Sequence, residues 1–311
     1  MSTKDLAVSI LSGLSLGPRK MAIDLGTAFI RVATKGLSPV TIPTWNAPRP
    51  PLRDGVVIDP YETANILRPF LNRAKRFGVA PDVVVGIPAE TSFSERKALH
   101  VAMCAAGADA VEVVCEPQAA AIGAGLELGS PYAQMVIDIG EGVTDCAIIR
   151  GGQILDSHTI RIGCGTLREQ IQAGYRWRWG IDLSRSEAEA FLEQAGVGDA
   201  AILPGAKRCA AIAGMAKGRE WFYPEAIHGF VDYCVDGIVE SVNEQLHNIP
   251  HDLGCEIIEN GIVLTGGGAL LPGMRERLSL ATAINVTVPQ DPLDAVIRGI
   301  LHMLESGTIK Q

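Results

Sequence analysis

An α/β fold of two similar lobes around a cleft is what this 311-residue sequence predicts, and three observations predict it. Apolar strand-like runs alternate with helical stretches, the pattern of α/β chains. Two strands each deliver an aspartate into a glycine turn and are followed by a second strand: "MAIDLGTAFIRVATKG" (21–36) and "VIDIGEGVTDCAIIRGGQI" (136–154). A third glycine turn, "TGGGALLPG" (265–273), again follows a strand and precedes a helix. Asp24 and Asp138 fall at equivalent points of the first two, which suggests an internal duplication whose two turns face one ligand.

The elements follow in order. Residues 1–20 lack the basic lead and the cleavage-type small-residue site of a targeting peptide. Leu6, Ile10 and Leu14 recur every four residues, so 1–17 reads as a short amphipathic segment, docked or frayed, or as a weak membrane-surface foot. Strand 21–24 pairs with 29–34 across Gly26-Thr27. "TIPTWNAPRPPLRDGVVIDP" (41–60) is proline-rich and reads as a connector, not a packed element. Residues 61–77 have helical spacing, "DVVVGIP" is a buried strand, and a helix capped near Ser94 runs to Gly107. Strand "AVEVVCEP" leads into the small-residue helix "QAAAIGAGLELG". Strand "MVIDIG" then opens the second glycine-turn hairpin.

"LREQIQAGYRWRWG" and "SRSEAEAFLEQAG" read as helices, 196–222 as a weakly patterned link, and "PEAIHGFVDYCVDGIVESVNEQLHNI" as a long helix. "NGIVLTGGGALLPGMRERLSLAT" is strand, turn and helix, followed by the strand "NVTVP" and a closing helix, "LDAVIRGILHMLES". The expected division is an N-terminal segment 1–17, lobe I over 18–156 with the closing helix 290–306, and lobe II over 157–289.

With 47% hydrophobic and 20% charged residues, the composition is that of an ordinary soluble chain, long enough for two lobes. A net charge of −8 gives no bulk attraction to nucleic acid, so no nucleic-acid partner is expected. No apolar run reaches the roughly 18 residues of a membrane span. Seven cysteines (104, 115, 146, 164, 209, 234 and 255) form no CxxC pair and read as buried thiols in a reducing compartment. His247 and His251 are four apart, but Pro250 breaks the helix that a metal pair would need.

Glycine turns after strands offer backbone N–H groups to phosphate oxygens, and Thr27 and Thr144 add hydroxyls. Carboxylates beside phosphates repel them unless a hard cation lies between, so Asp24 and Asp138 suit a Mg²⁺ held through its waters. Each aspartate could instead cap its own turn, but the three turns together favour the nucleotide polyphosphate reading. Glu116, at the end of "AVEVVCEP", either orients an attacking water or is a plain acid at a helix N-terminus.

These motifs, taken in order with "VVVGIPAETSFSERKALHVAMCAAGADAVEVVCEPQAAAIGAGLEL", "IRIG" and "DPLDAVIRG", cover roughly two-thirds of the chain. They resemble the actin-like ATPases of the actin and Hsp70 superfamily, and most closely the bacterial MreB group. The resemblance implies the actin/Hsp70-like (ribonuclease H-like) fold, with a nucleotide cleft between duplicated lobes. It implies binding and hydrolysis of ATP with Mg²⁺ and homopolymer filaments, in antiparallel protofilaments, that organise cell shape. It also implies a cytoplasmic place at the inner membrane face, with membrane-bound partners. By the same resemblance Asp24, Gly26 and Thr27 form the first phosphate hairpin, and Asp138, Gly140, Glu141, Gly142 and Thr144 the second. Glu116 and Asp138 take the catalytic roles, while Glu189, Gly266, Gly267 and Gly268 lie on the adenosine side. Ala295 and Gly299 belong to a helix crossing between lobes, and Phe77 and Val79 correspond to a membrane-dipping loop.

The sequence departs from that pattern. MreB proteins carry a small subdomain between the first hairpin and "DGVVIDP", where this chain has only its connector. The adenosine-side helix keeps Glu189 and Glu193, but no lysine occurs from Arg168 to Ala206. Glu141 stands where MreB proteins have glycine and actin has an acid. The missing subdomain also motivates an alternative, a non-filamentous adaptor or chaperone-like member of the ethanolamine-utilisation or pilus-assembly type. A sugar or acetate kinase would need a substrate insert that the sequence lacks. "YRWRWG" (175–180) is either half-buried packing of Arg on Trp or a lipid- or protein-facing surface.

Overall fold

The structure is a computed structural model and describes residues 20–75, 77–127, 129–197 and 224–307. The segment 1–17, Cys209 and the link beyond Val197 lie outside the described residues. The chain opens with β1 (Lys20–Leu25), β2 (Phe29–Thr34) and β3 (Val40–Pro43), then a small antiparallel pair, β4 (Leu52–Arg53) and β5 (Val56–Val57). It continues through α1 (Pro60–Ala74), β6 (Asp82–Ile87), α2 (Phe93–Ala106), β7 (Val111–Cys115) and α3 (Glu116–Gly123). The first sheet has the order β3-β2-β1-β6-β7, antiparallel through its first three strands and parallel from β1 to β7.

The same topology is then built again. β8 (Gln134–Ile139), β9 (Thr144–Arg150) and β10 (Gln153–Ile160) lead into the helices α4 (Cys164–Trp179), α5 (Arg185–Ala195), α6 (Pro224–Asn248) and α7 (His251–Asn260). β11 (Ile262–Thr265), α8 (Met274–Thr282), β12 (Val286–Thr287) and α9 (Ala295–Ser306) complete the copy. The second sheet runs β10-β9-β8-β11-β12 with matching strand directions. The sheets switch between Cys115 and Gln134, so β8 to β10 pair with β11 and not with the first sheet. The expected division at 156/157 falls within β10, in the second sheet.

Three further expectations change. Val40–Pro43, assigned to the connector, is an edge strand on β2, the counterpart of β10; Pro43 is tolerated at its end because an edge strand has a free side. Helix α2 is capped by Ser92, not Ser94: the Ser92 hydroxyl accepts the Glu95 N–H and the Glu95 carboxylate accepts the Ser92 N–H. Residues His251–Asn260 form a helix where none was expected, and Pro250 separates it from α6, so His247 and His251 sit on different helices. Cys146, Cys164 and Cys234 are buried as expected, whereas Cys104 and Cys255 are exposed.

Five layers result. Leu67 and Leu71 of α1 and Ala102 and Met103 of α2 pack on one face of the first sheet. Leu167 and Ile171 of α4, Phe191 of α5 and Val235 of α6 pack on the outer face of the second. Between the sheets lie α3 and α9, enclosed by Ala22 and Val84 on one side and Val136 and Ala147 on the other. These two helices end the two copies and cross at backbone contact. A Cβ on Gly123 would stand 1.8 Å from the Ala295 carbonyl oxygen, and one on Gly299 would stand 1.8 Å from that of Ala119. Each helix thus presents a small residue and a glycine four apart, on one face.

Candidate functional site

The strand ends of both sheets meet at a cleft of about 960 Å³. Asp24 is the last residue but one of the buried strand β1 and Asp138 of β8, and register places Asp138 beside Thr265 of β11. The two glycine turns that follow are in contact: a Cβ on Gly142 would lie 2.6 Å from Thr27 Oγ1 and 2.7 Å from Asp54 Cα. Asp54 and Gly55 form the tip of the β4–β5 hairpin, and the Gly55 N–H donates to Thr27 Oγ1 at 2.9 Å. The proline-rich connector is therefore packed between the two turns.

Asp24, Gly26, Thr27, Glu116, Asp138, Gly140, Glu141, Gly142, Glu189, Gly266 and Gly267 all line the cleft. Two expected members do not. The Thr144 side chain is fully buried, and its hydroxyl donates to the Ile162 carbonyl at 2.8 Å, so it fastens β9 and does not line the cleft. Gly268 lies against Ile139, whose Cγ2 would be 2.3 Å from an added Cβ, so its bareness serves packing. Phe77 and Val79 are exposed in the turn between α1 and β6, away from the cleft lining. In "YRWRWG", Tyr175 is core, Trp179 packs beside it with Arg178 5.4 Å from its ring, and Trp177 is exposed.

The electrostatics are unusual. Burial pushes the Asp138 carboxyl up to about 7, opposed by a hydrogen bond from the Thr265 hydroxyl at 2.7 Å. Burial also raises Asp24, with Arg31 opposing, and raises Glu116 well above its ordinary value, reinforced by Asp24, Asp145 and Asp138. Carboxyls held up in this way mark a site short of positive charge. Its donors are oxygens, which suit a hard divalent cation, and the charge crowding at Glu116 and Asp138 is what such an ion would relieve. Among the described residues no three His, Cys, Asp or Glu side chains converge as a direct chelating set.

Several participants were not foreseen. Arg168, buried, donates to both Glu141 carboxylate oxygens and, at 2.7 Å, to Glu189. Arg185 donates to Glu141 at 2.9 Å and lies 4.9 Å from the centre of the Trp45 ring. Glu141 is thereby anchored to α4 and α5, and Trp45 reaches across the cleft mouth to the second lobe. Arg31 pairs with Asp24 at 3.1 Å; the clue was a lone basic residue in the apolar strand "FIRVAT".

Asp145 was also missed. It accepts the Ala89 N–H and the Thr159 hydroxyl through one oxygen, and burial holds its carboxyl up at about 6. A folded-state value above the unfolded one means stability that is complete below about pH 4 and lost as pH rises through about 6. Asp145→Asn keeps the accepting oxygen and removes the charge. Its melting temperature is expected to fall less than the parent's between pH 5 and pH 8 in thermal melts; equal falls would refute the assignment.

Comparison with known proteins agrees with this geometry. The family model described as MreB/Mbl protein matches residues 41–311. The cell shape-determining protein MreB of Escherichia coli (strain K12) is 33% identical over 255 residues, 80% of this chain and 73% of that one. The crystal structure of MreB5 of Spiroplasma citri bound to ADP superposes with a TM-score of 0.81 at 24% identity, covering 93% of this chain and 96% of that one. The MamK double helical filament gives 0.72 at 20% identity, covering 92% and 99%. The ethanolamine utilization protein EutJ from Carboxydothermus hydrogenoformans gives 0.62 at 22%, covering 92% and 89%. At these identities the structural matches establish the actin/Hsp70-like fold, while the sequence matches establish the family. The chain belongs to the MreB/Mbl family.

Proposed function

We propose that this chain is an actin-type cytoskeletal ATPase that binds Mg-ATP in the cleft and couples its hydrolysis to lobe closure and self-assembly. The observation that carries the reading is the convergence of two glycine turns on one cleft, each preceded by an aspartate, buried at Asp24 and half-buried at Asp138. The turns would receive the phosphates on backbone N–H groups. Asp24 and Asp138 would hold Mg²⁺ through its waters, and Mg²⁺ when bound supplies the charge neutralisation that the acidic cleft lacks. Glu116 would orient the attacking water in line with the terminal phosphate, so that catalysis is chiefly positioning and charge stabilisation. Glu189, Gly266 and Gly267 would receive the nucleoside. Lobe I would comprise the first sheet and its helices with α9, and lobe II the second sheet with α4 to α8.

Self-association is supported by family membership and by the likeness to a filament-forming fold. Among the described residues no helix is long and apolar enough to cross a membrane. A peripheral membrane contact at Phe77 and Val79 remains part of the proposal, supported by their exposure. The direct test is sedimentation across a range of protein concentrations. Pelleting with Mg-ATP and its loss in EDTA are the expected result. ATP binding without polymer at any concentration would move the reading to a non-filamentous adaptor, and no ATP binding would end it.

A further inference from the structure

Arg31 interrupts the apolar strand β2 with a guanidinium that lines the cleft. Its Nη1 donates to Asp24 at 3.1 Å and lies 4.0 Å from where a Cβ on Gly26 would project. The group therefore rests against the bare backbone of the first glycine turn. Its Nε is 3.2 Å from Asp294 Oδ1 but lacks the alignment for a hydrogen bond, leaving a buried donor without one. The charges around it are one-sided. Among the described residues the lining holds Asp24, Glu116, Asp138, Glu141, Glu189 and Glu193 against two arginines and no lysine. The other arginine, Arg185, is taken up by Glu141 and Trp45 at the mouth. At the aspartate end Arg31 is the cation on hand among the described residues.

Resting on the polyphosphate reading of the cleft, we propose that Arg31 is a resident counter-cation of the first glycine turn: it neutralises Asp24 and meets the phosphate groups, so that polyphosphate binding persists without a divalent metal. A guanidinium lining the cleft is suited to phosphate oxygens, and a charged hydrogen bond in a desolvated cleft is stronger than a neutral one. The metal then adds affinity and chemistry to a site that already tolerates an anion.

The test is calorimetric titration with ATP and, separately, inorganic tripolyphosphate, each in Mg²⁺ and in EDTA. The wild type is expected to bind both ligands in EDTA. Arg31→Met is expected to lose about 10–100-fold in affinity for both in EDTA, and less in Mg²⁺. Arg31→Lys should retain most of the metal-free binding, since it keeps the charge. Arg31→Met leaves Asp24 buried without a partner, so the pair Asp24→Asn with Arg31→Met removes both charges together and should show the same metal-free loss if the single variant does not fold. Equal EDTA sensitivity in the wild type and in the methionine variants, or no wild-type binding in EDTA, overturns the proposal. Arg31-dependent binding of tripolyphosphate with none of ATP keeps the proposal and sinks the nucleotide reading. Failure of the wild type to bind either ligand in Mg²⁺ sinks both.

Discussion

Glu116→Gln is expected to lower ATP hydrolysis by about 10²–10⁴-fold, the range for loss of a positioned acid–base group, while ATP binding is largely retained. The sequence left Glu116 evenly divided between a water-positioning carboxylate and a helix N-terminal acid. An acid serving only the helix dipole would stand in solvent with its carboxyl lowered. Glu116 is instead buried, lines the cleft, and is pushed well above its ordinary value by burial and then by Asp24, Asp145 and Asp138. Its Cγ would be 3.0 Å from a Cβ on Gly86, so the side chain is confined against β6. Hydrolysis by the parent is expected to rise with pH, because only the deprotonated carboxyl accepts a water proton. The glutamine variant should be at least as stable as the parent, since burial disfavours the charge that it lacks. Phosphate release at the parent rate in a folded variant would remove Glu116 from the mechanism.

Gly299→Ala is expected to cost about 4 kcal/mol or more, in the exceptional range for one methyl group. The added Cβ would meet the Ala119 carbonyl oxygen at 1.8 Å, and neither backbone can yield while α3 and α9 stay packed between the sheets. Gly123→Ala drives the same wedge from the other helix, into the Ala295 carbonyl. Because both substitutions open one crossing, their combined cost should fall short of their sum. Gly229→Ala is the matched control. It lies in α6 with nothing near its Cβ among the described residues, and should gain up to about 1 kcal/mol from helix propensity. Urea unfolding of the parent, the three single variants and the double variant decides the matter; a stability loss at Gly299 no larger than the change at Gly229 would show that the crossing is looser than the geometry indicates.

Much of the fold was legible because its signals are local. The β1–β2 and β8–β9 hairpins announce themselves by apolar runs closing on glycine, and α6 by its apolar face. The errors were local as well. β3 was hidden by the prolines that follow it, although the duplication carried the clue, since β10 holds the same place in the second copy. Helix α7 was overlooked beside the more conspicuous α6. The turns that line the cleft were also legible, since glycines and aspartates after strands have a restricted chemistry. Arg168, Arg185, Trp45 and Asp145 were not: each is an ordinary residue in its own helix, strand or turn and acquires a role only from what it meets.

By itself the sequence determined most of the strands, the two glycine turns and their duplication, because backbone preference and side-chain periodicity act within a few residues. The tertiary structure alone decided which turns touch, that Thr144 and Gly268 serve packing, that Glu141 is held by two arginines, and that Arg31 rests against Gly26. Those outcomes depend on burial and on charges brought together from distant parts of the chain. Desolvation and Coulomb energy follow distance in space and not separation in sequence.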